Sequence, residues 1–156
     1  MTPAHQAALN IARDSFDMLR ESVAQLPDEA LSWSPAEGMN PLSVLVVHSL
    51  VATRYLVGLG CGDIRDFQAY RANERAAAFE TTGKTVQVLL AEIETAFGEI
   101  ERLCGDGTES DLVRESTTLV TATGLQFLIH AIGHLREHVG HAQALHDLWL
   151  AGFATR

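Results

Sequence analysis

Helical periodicity in four long segments limits this chain to very few folds. Apolar residues recur at steps of three and four in each segment, and no segment sustains the alternation of a strand. The predicted helices cover Thr2–Leu26, Pro41–Leu59, Thr82–Cys104 and Thr121–Ala151. Amphipathic helices of this length bury their apolar stripes against one another, which predicts an all-α four-helix bundle.

The connections between these helices are uneven. Thr2-Pro3 and Asn40-Pro41 each suit an N-cap followed by a first helical residue. Residues 61–81, between helices 2 and 3, form a connection of about twenty residues, too long for a tight turn. We therefore expect one long crossover across an end of the bundle, with a short helix near residues 69–79. The length predicts a single domain over residues 1–156.

Composition excludes several classes of protein. The chain has 156 residues, 47% of them apolar, with a net charge of −9, which is unsuited to binding nucleic acid or anionic lipid. The most apolar window, residues 42–60, contains His48 and Arg54, so we expect a core helix and not a membrane span. No basic, apolar leader opens the sequence, and Cys61 and Cys104 have no C-x-x-C spacing, so we expect reduced thiols in the cytoplasm.

A histidine stripe marks the fourth predicted helix. The chain has seven histidines. At about 100° per residue, His130, His134, His138 and His141 fall within a quarter turn of the helix, and His146 falls outside it. We expect His5, like His146, to be a surface or interface residue.

The spacing of the stripe permits a metal site. Neighbouring pairs, His130 with His134, His134 with His138 and His138 with His141, are close enough to share one ion. The ends of the stripe are too far apart to do so, and a third ligand must come from another helix. His48 is the histidine on the apolar face of a second helix, and a buried imidazole is costly unless a partner satisfies it.

The histidine stripe has three alternative interpretations. Residues 134–138 match the H-x-x-E-H string of inverted zinc peptidases, with Glu137 as the base, but a five-residue match in a histidine-rich helix is weak. A di-iron bundle needs paired Glu-x-x-His motifs, which the sequence lacks. A metal-free bundle whose clustered imidazoles repel one another on protonation near pH 6 is a further alternative.

Short motifs in a fixed order resemble the DinB-like (damage-inducible) superfamily of metal-binding four-helix bundles. Residues 33–43, starting Trp-Ser-Pro, resemble the segment that leads into its second helix, and residues 46–50 resemble its first metal histidine. Residues 134–143 resemble its H-x-x-x-H run. The resemblance implies that His48, His134 and His138 are the metal ligands. His130 and His141 have no fixed role in the family and are candidates for supporting these ligands.

The resemblance also implies a chemistry. Three imidazoles suit Zn²⁺ or Ni²⁺ first, then Fe²⁺ or Mn²⁺, and leave a coordination position open. Relatives include S-transferases and isomerases that use low-molecular-weight thiols such as mycothiol or bacillithiol. We therefore expect a metal-dependent transferase that joins such a thiol to a small electrophile. A metal-dependent hydrolase and a non-enzymatic metal-binding or interaction bundle are the alternatives.

Candidate residues around the expected metal are few. Glu137 could orient a ligand imidazole or act as a base. Arg54 would reach only the edge of a pocket. Arg65, Arg71 and Arg75 in the crossover could steer a carboxylated substrate, or could simply be solvated. The partner we expect is a small-molecule substrate, without nucleic acid or membrane, and a homodimer through one helical face.

Overall fold

The computed structural model describes residues 1–63 and 65–155, without the side chain of Thr155. Most of the chain is helical. The elements are α1 (Pro3–Ala24), α2 (Leu42–Gly60), α3 (Phe67–Tyr70), α4 (Ala76–Phe79), α5 (Val86–Asp106), α6 (Glu109–Val113), β1 (Glu115–Ser116), β2 (Ala122–Thr123) and α7 (Gly124–Leu150). Short 3₁₀ turns cover Asp28–Ser32 and Phe153–Thr155, and a π turn, Arg71–Arg75, joins α3 to α4.

The four long helices form the predicted four-helix bundle. α1 packs against α5 and α7, and α2 packs against the same two helices. The order around the bundle is therefore α1, α7, α2, α5, and α2 lies beside α7. The core between them is filled by fully buried side chains, among them Phe16, Leu19, Leu59, Leu89, Ile93, Ile100 and Leu135.

Helix starts follow the local sequence, with corrections to the starts of α2 and α5. Thr2 is the N-cap of α1, and its hydroxyl accepts a hydrogen bond from the backbone N–H of His5 at 3.3 Å. The prediction that Asn40 caps α2 is wrong by one residue. Pro41 is extended, with ψ of 166°, and therefore stands at the cap position itself, so that α2 begins at Leu42. α5 begins at Val86, later than predicted, because the Thr85 hydroxyl caps it.

The prediction that the long crossover passes across an end of the bundle is wrong, because this connection packs along the side of α2. Residues 67–79 form one helical stretch, α3, the π turn and α4, which packs against α2. Tyr70 fixes it in place, because its ring stacks on Tyr55 of α2 with centroids 4.0 Å apart. Ala78 is also buried. The predicted short helix at 69–79 is therefore present within a slightly longer one.

The start of α7 is closely packed against the backbone of α6 and the end of α2. β1 and β2 form a two-stranded antiparallel pair just before it, an element that the sequence did not predict. A Cβ on Gly124 would lie 2.0 Å from the carbonyl oxygen of Asp111, so only glycine fits here. Gly60, at the end of α2, approaches the same point. This close approach of the two backbones fixes the position at which α7 begins beside α2.

Two burial predictions are wrong. His5, predicted at the surface, is fully buried, because its Nδ1 lies 2.9 Å from the capping hydroxyl of Thr2 and this contact holds the ring inside. The apolar periodicity of the fourth predicted helix places Leu125 in the core, but this residue is 41% exposed. Phe127 is buried instead, because the first turn of α7 packs against α6 and turns a different face inward.

The cysteines and the apolar second helix complete the fold. Cys61 and Cys104 are free thiols that share a hydrogen bond where α2 and α5 end, and this bond, together with burial, raises the pKa of Cys61. Within the part of the chain that the structure describes, α2 is the one helix long and apolar enough to cross a membrane. Most of its residues are buried inside the bundle, as expected for a core helix.

Candidate metal centre

Three histidines from two helices meet inside the bundle. One ring nitrogen each of His48, His134 and His138 lies within 4.8 Å of the other two. The ring centroid of His48 is 5.4 Å from that of His134 and 5.0 Å from that of His138. The two rings on α7 are 4.4 Å apart. The structure thus brings together the three residues that the sequence singled out as a metal-ligand set.

Helix geometry explains the meeting. His134 and His138 are four residues apart on α7 and therefore lie on one face. His48 sits on the face of α2 that packs against α7, and only 7% of it is exposed. The two rings of α7 are half-buried, so the cluster is closed on the α2 side and open towards solvent on the other.

Most nitrogens of these three rings have no hydrogen-bond partner among the described residues. In residues 1–63 and 65–155, the six nitrogens of these rings share one hydrogen bond, between Nε2 of His134 and Nε2 of His138 at 3.2 Å. Nδ1 of each ring is buried without a partner there. Two nitrogens bound at about 2.05 Å to one tetrahedral ion lie about 3.3 Å apart. The Nε2 atoms of His134 and His138 therefore have the spacing of two ligands on one metal ion, with a ring nitrogen of His48 close enough to be the third.

The protonation state of the rings also suits a metal. Burial, followed by the charge of His138, lowers the pKa of His48 to about 4. The same two causes, in the same order, lower the pKa of His134 to about 4. Burial also lowers the pKa of His138. At neutral pH all three imidazoles are therefore uncharged, which is the form that binds a cation.

The crossover places an aromatic ring and a cation beside the cluster. The Phe79 ring of α4 lies 4.6 Å from the His48 ring, centroid to centroid. The Arg75 guanidinium carbon stands 4.8 Å from the centre of the Phe79 ring. Sequence reasoning missed Phe79, because no pattern in the sequence shows the path of the crossover.

The other histidines extend the stripe beyond the cluster. The His130 ring lies 6.3 Å from that of His134, and the His141 ring lies 5.6 Å from that of His138. Both outer rings are exposed. His146 is apart from the stripe, as predicted, and its Nδ1 lies 3.0 Å from a carboxylate oxygen of Asp147.

The remaining candidates fall into two groups. Glu137 is exposed, and its charge acts to raise the pKa of His134 and of His138, but it makes no hydrogen bond to these rings among the described residues. Arg54 and Arg65 are turned away, because acidic side chains engage both of them. Arg71 is exposed and makes no contact with the cluster in the residues described.

Comparisons with known proteins define the class of this chain. The DinB superfamily model matches residues 11–142. That is most of the chain, and the protein belongs to this superfamily. No curated protein matches it.

Solved structures share the fold. A conserved protein from Enterococcus faecalis is 13% identical, with a TM-score of 0.77, and the match covers 97% of this chain and 99% of that one. A mycothiol-dependent maleylpyruvate isomerase is 16% identical, with a TM-score of 0.65 over 90% of this chain. The match covers 62% of the isomerase, so the present chain corresponds to only part of it. These structures confirm the DinB-like fold.

Proposed function

We propose that this protein binds a divalent metal ion through His48, His134 and His138 and joins a small thiol to an electrophilic substrate. The observation that carries the proposal is the convergence of three neutral imidazoles, each with one ring nitrogen within 4.8 Å of the other two, together with the 3.2 Å distance between Nε2 of His134 and Nε2 of His138. Three nitrogen ligands favour Zn²⁺ or Ni²⁺ over Fe²⁺ or Mn²⁺. Three protein ligands also leave one position for an exogenous group, as in catalytic sites.

A divalent ion held here would lower the pKa of a thiol, or of water, brought to it, and so provide a nucleophile at neutral pH. Residues of the protein would close one side of the site and accept the proton of the thiol. Buried His48 closes the cluster on the α2 side, and the half-buried rings of α7 face the side from which a substrate arrives. The exposed carboxylate of Glu137 would accept the proton of the incoming thiol.

The isomerase with the same fold supports a thiol as the partner, because that enzyme is described as mycothiol-dependent. Its likeness to this chain is limited to the fold and to part of its length, so the transferase reaction and the identity of the thiol are proposals. We further propose that the chain is one domain acting in the cytoplasm on a small molecule, as a homodimer, without nucleic acid or membrane.

The first test is metal retention by protein purified without an affinity tag. Elemental analysis should find about one divalent ion per chain. His48→Ala should lower metal affinity by at least about tenfold while helical circular dichroism is kept. His146→Ala is the matched control, because His146 lies on α7 outside the cluster, and it should retain the ion. A full metal equivalent in His48→Ala would contradict the role of α2.

The second test separates the reactions. In Co²⁺-substituted protein, a small thiol should change the metal-centred absorption spectrum, and Glu137→Gln should keep the ion but slow transfer to an electrophile. Hydrolysis of ester or amide substrates without any response to thiols would instead identify a hydrolase. Metal retention with neither response would identify a non-enzymatic metal-binding bundle.

A further inference from the structure

Arg75 is an exposed residue beside the histidine cluster, from which the Phe79 ring separates it, and it has no acidic partner among the described residues. Its guanidinium lies over the Phe79 ring, and that ring contacts His48. Its charge contributes to the lowered pKa values of both His48 and His134, so it acts on rings from two helices. No ion pair joins it to a carboxylate in the described residues, although the sequence has 20 acidic residues and 11 basic ones.

The neighbouring acid is already engaged elsewhere. One carboxylate oxygen of Glu74 lies 3.5 Å from Arg54, and the other lies 3.8 Å from Arg65. Arg54 also pairs with Glu99 of α5 at 2.9 Å. These contacts hold Glu74 towards α2 and α5, so it does not neutralise the cation beside it in sequence. Glu74 therefore leaves the charge of Arg75 unneutralised.

The backbone fixes the direction of this side chain. Arg75 ends the π turn, Arg71–Arg75, and the stacking of Tyr70 on Tyr55 anchors the residue just before that turn. Single π turns inside helices are often found at functional sites, because the extra residue re-aims the side chains that follow. Packing on Phe79 further limits the guanidinium, and an aromatic face leaves its N–H groups free to donate.

We propose that Arg75 binds the anionic end of the molecule taken by the histidine cluster, and that this molecule carries a carboxylate. The planar guanidinium can donate two parallel hydrogen bonds to the two carboxylate oxygens. The inference rests on the proposed function and adds the substrate class to it. Arg75 touches the substrate at the end away from the reacting sulfur, so it sets specificity.

The test compares two thiols that differ in charge. Co²⁺-loaded, untagged protein is titrated with 3-mercaptopropionate and with 2-mercaptoethanol, and the metal-centred absorption gives each affinity. The carboxylated thiol should bind about fivefold more tightly, despite the net negative charge of the protein. Arg75→Gln should abolish this preference without changing metal content or the affinity for 2-mercaptoethanol. Arg71→Gln removes an exposed arginine from the same turn and should keep the preference.

The outcomes separate the two proposals. Equal affinities for the two thiols, or a preference that survives Arg75→Gln, overturn the role of Arg75 while the proposed function stands. The neutral thiol reports on the metal centre alone. If the protein takes up no metal, or if neither thiol changes the spectrum, the proposed function fails and the role of Arg75 fails with it.

Discussion

Buried imidazoles have two different environments in this molecule. His5 meets the Thr2 hydroxyl at Nδ1, and its Nε2 is buried against Gly107 without a hydrogen-bond partner among the described residues, outside the histidine cluster. His48 instead points into a cluster of rings that leave one another unsatisfied. Burial alone therefore does not identify a metal ligand, whereas convergence of several unpartnered nitrogens does.

The histidine cluster makes the stability of the metal-free protein depend on pH. His48 and His134 have folded pKa values lowered to about 4, so the unfolded chain binds their protons more readily. Their contribution is complete above about pH 6.5 and is lost as the pH falls towards 4. With metal removed by a chelator, His48→Gln should reduce the loss of unfolding free energy between pH 7 and pH 5 by about 1 kcal/mol.

Urea denaturation at the two pH values measures this effect. His146→Gln is the control, because it removes an imidazole from the same bundle outside the cluster, and it should leave the pH dependence unchanged. An equal pH dependence in His48→Gln and the original protein would show that His48 does not lose its proton on folding.

The stripe on α7 could be predicted at the residue scale, because helical spacing alone places His134 and His138 on one face. The neighbours Phe79 and Arg75 could not be placed. They lie on a crossover whose path depends on the stacking of Tyr70 on Tyr55, which is a contact between segments and leaves no periodic signal. Arg75 was only one of several arginines that the sequence offered in this connection.

At the scale of elements, the helices were predictable because each has its own apolar period. The ends of the helices were harder to predict from the sequence. The start of α2 shifted by one residue at Pro41, since proline suits both a first helical residue and an extended cap. Leu125 was misplaced because the first turn of α7 packs against α6, and α6 was not predicted. Contacts between segments therefore determine the helix ends and the buried face of α7, which local helix propensity does not specify.

The close packing around Gly124, at the start of α7, can be tested by substitution. Gly124→Ala places a Cβ against backbone, 2.0 Å from the Asp111 carbonyl oxygen, and should lower the free energy of unfolding by about 1 to 3 kcal/mol. Gly98→Ala is the control, because that glycine is exposed within α5 and a Cβ there meets nothing within 4 Å. It should raise stability by roughly 0.5 to 1 kcal/mol. Chemical denaturation of both variants measures the difference, and an undisturbed Gly124→Ala would contradict the close approach.

At the scale of the whole molecule, the order of helices around the bundle decides the site. The sequence predicted four helices but not which of them are neighbours. Because α2 and α7 pack side by side, His48 reaches the stripe on α7. The predicted homodimer stays a prediction, and sedimentation equilibrium would test it.

A metal ion that joins α2 to α7 should stabilise the entire fold. At a free concentration about 100 times the dissociation constant, binding adds about 2.7 kcal/mol. For a chain of this size that corresponds to a rise in Tm of about 5 to 10 °C. Differential scanning calorimetry with Zn²⁺ should show this rise, and a chelator should reverse it. His48→Ala should show a much smaller rise, and an equal rise in that variant would place the bound ion elsewhere.

The histidine cluster joins two helices that are far apart along the chain, and this has a consequence for biosynthesis. The ring of α2 leaves the ribosome long before its two partners in α7, so nascent protein cannot assemble the trio until its last long helix has emerged. Capture of an ion thus reports that α7 has been synthesised, and a fragment that ends before α7 would have no site in which to bind one.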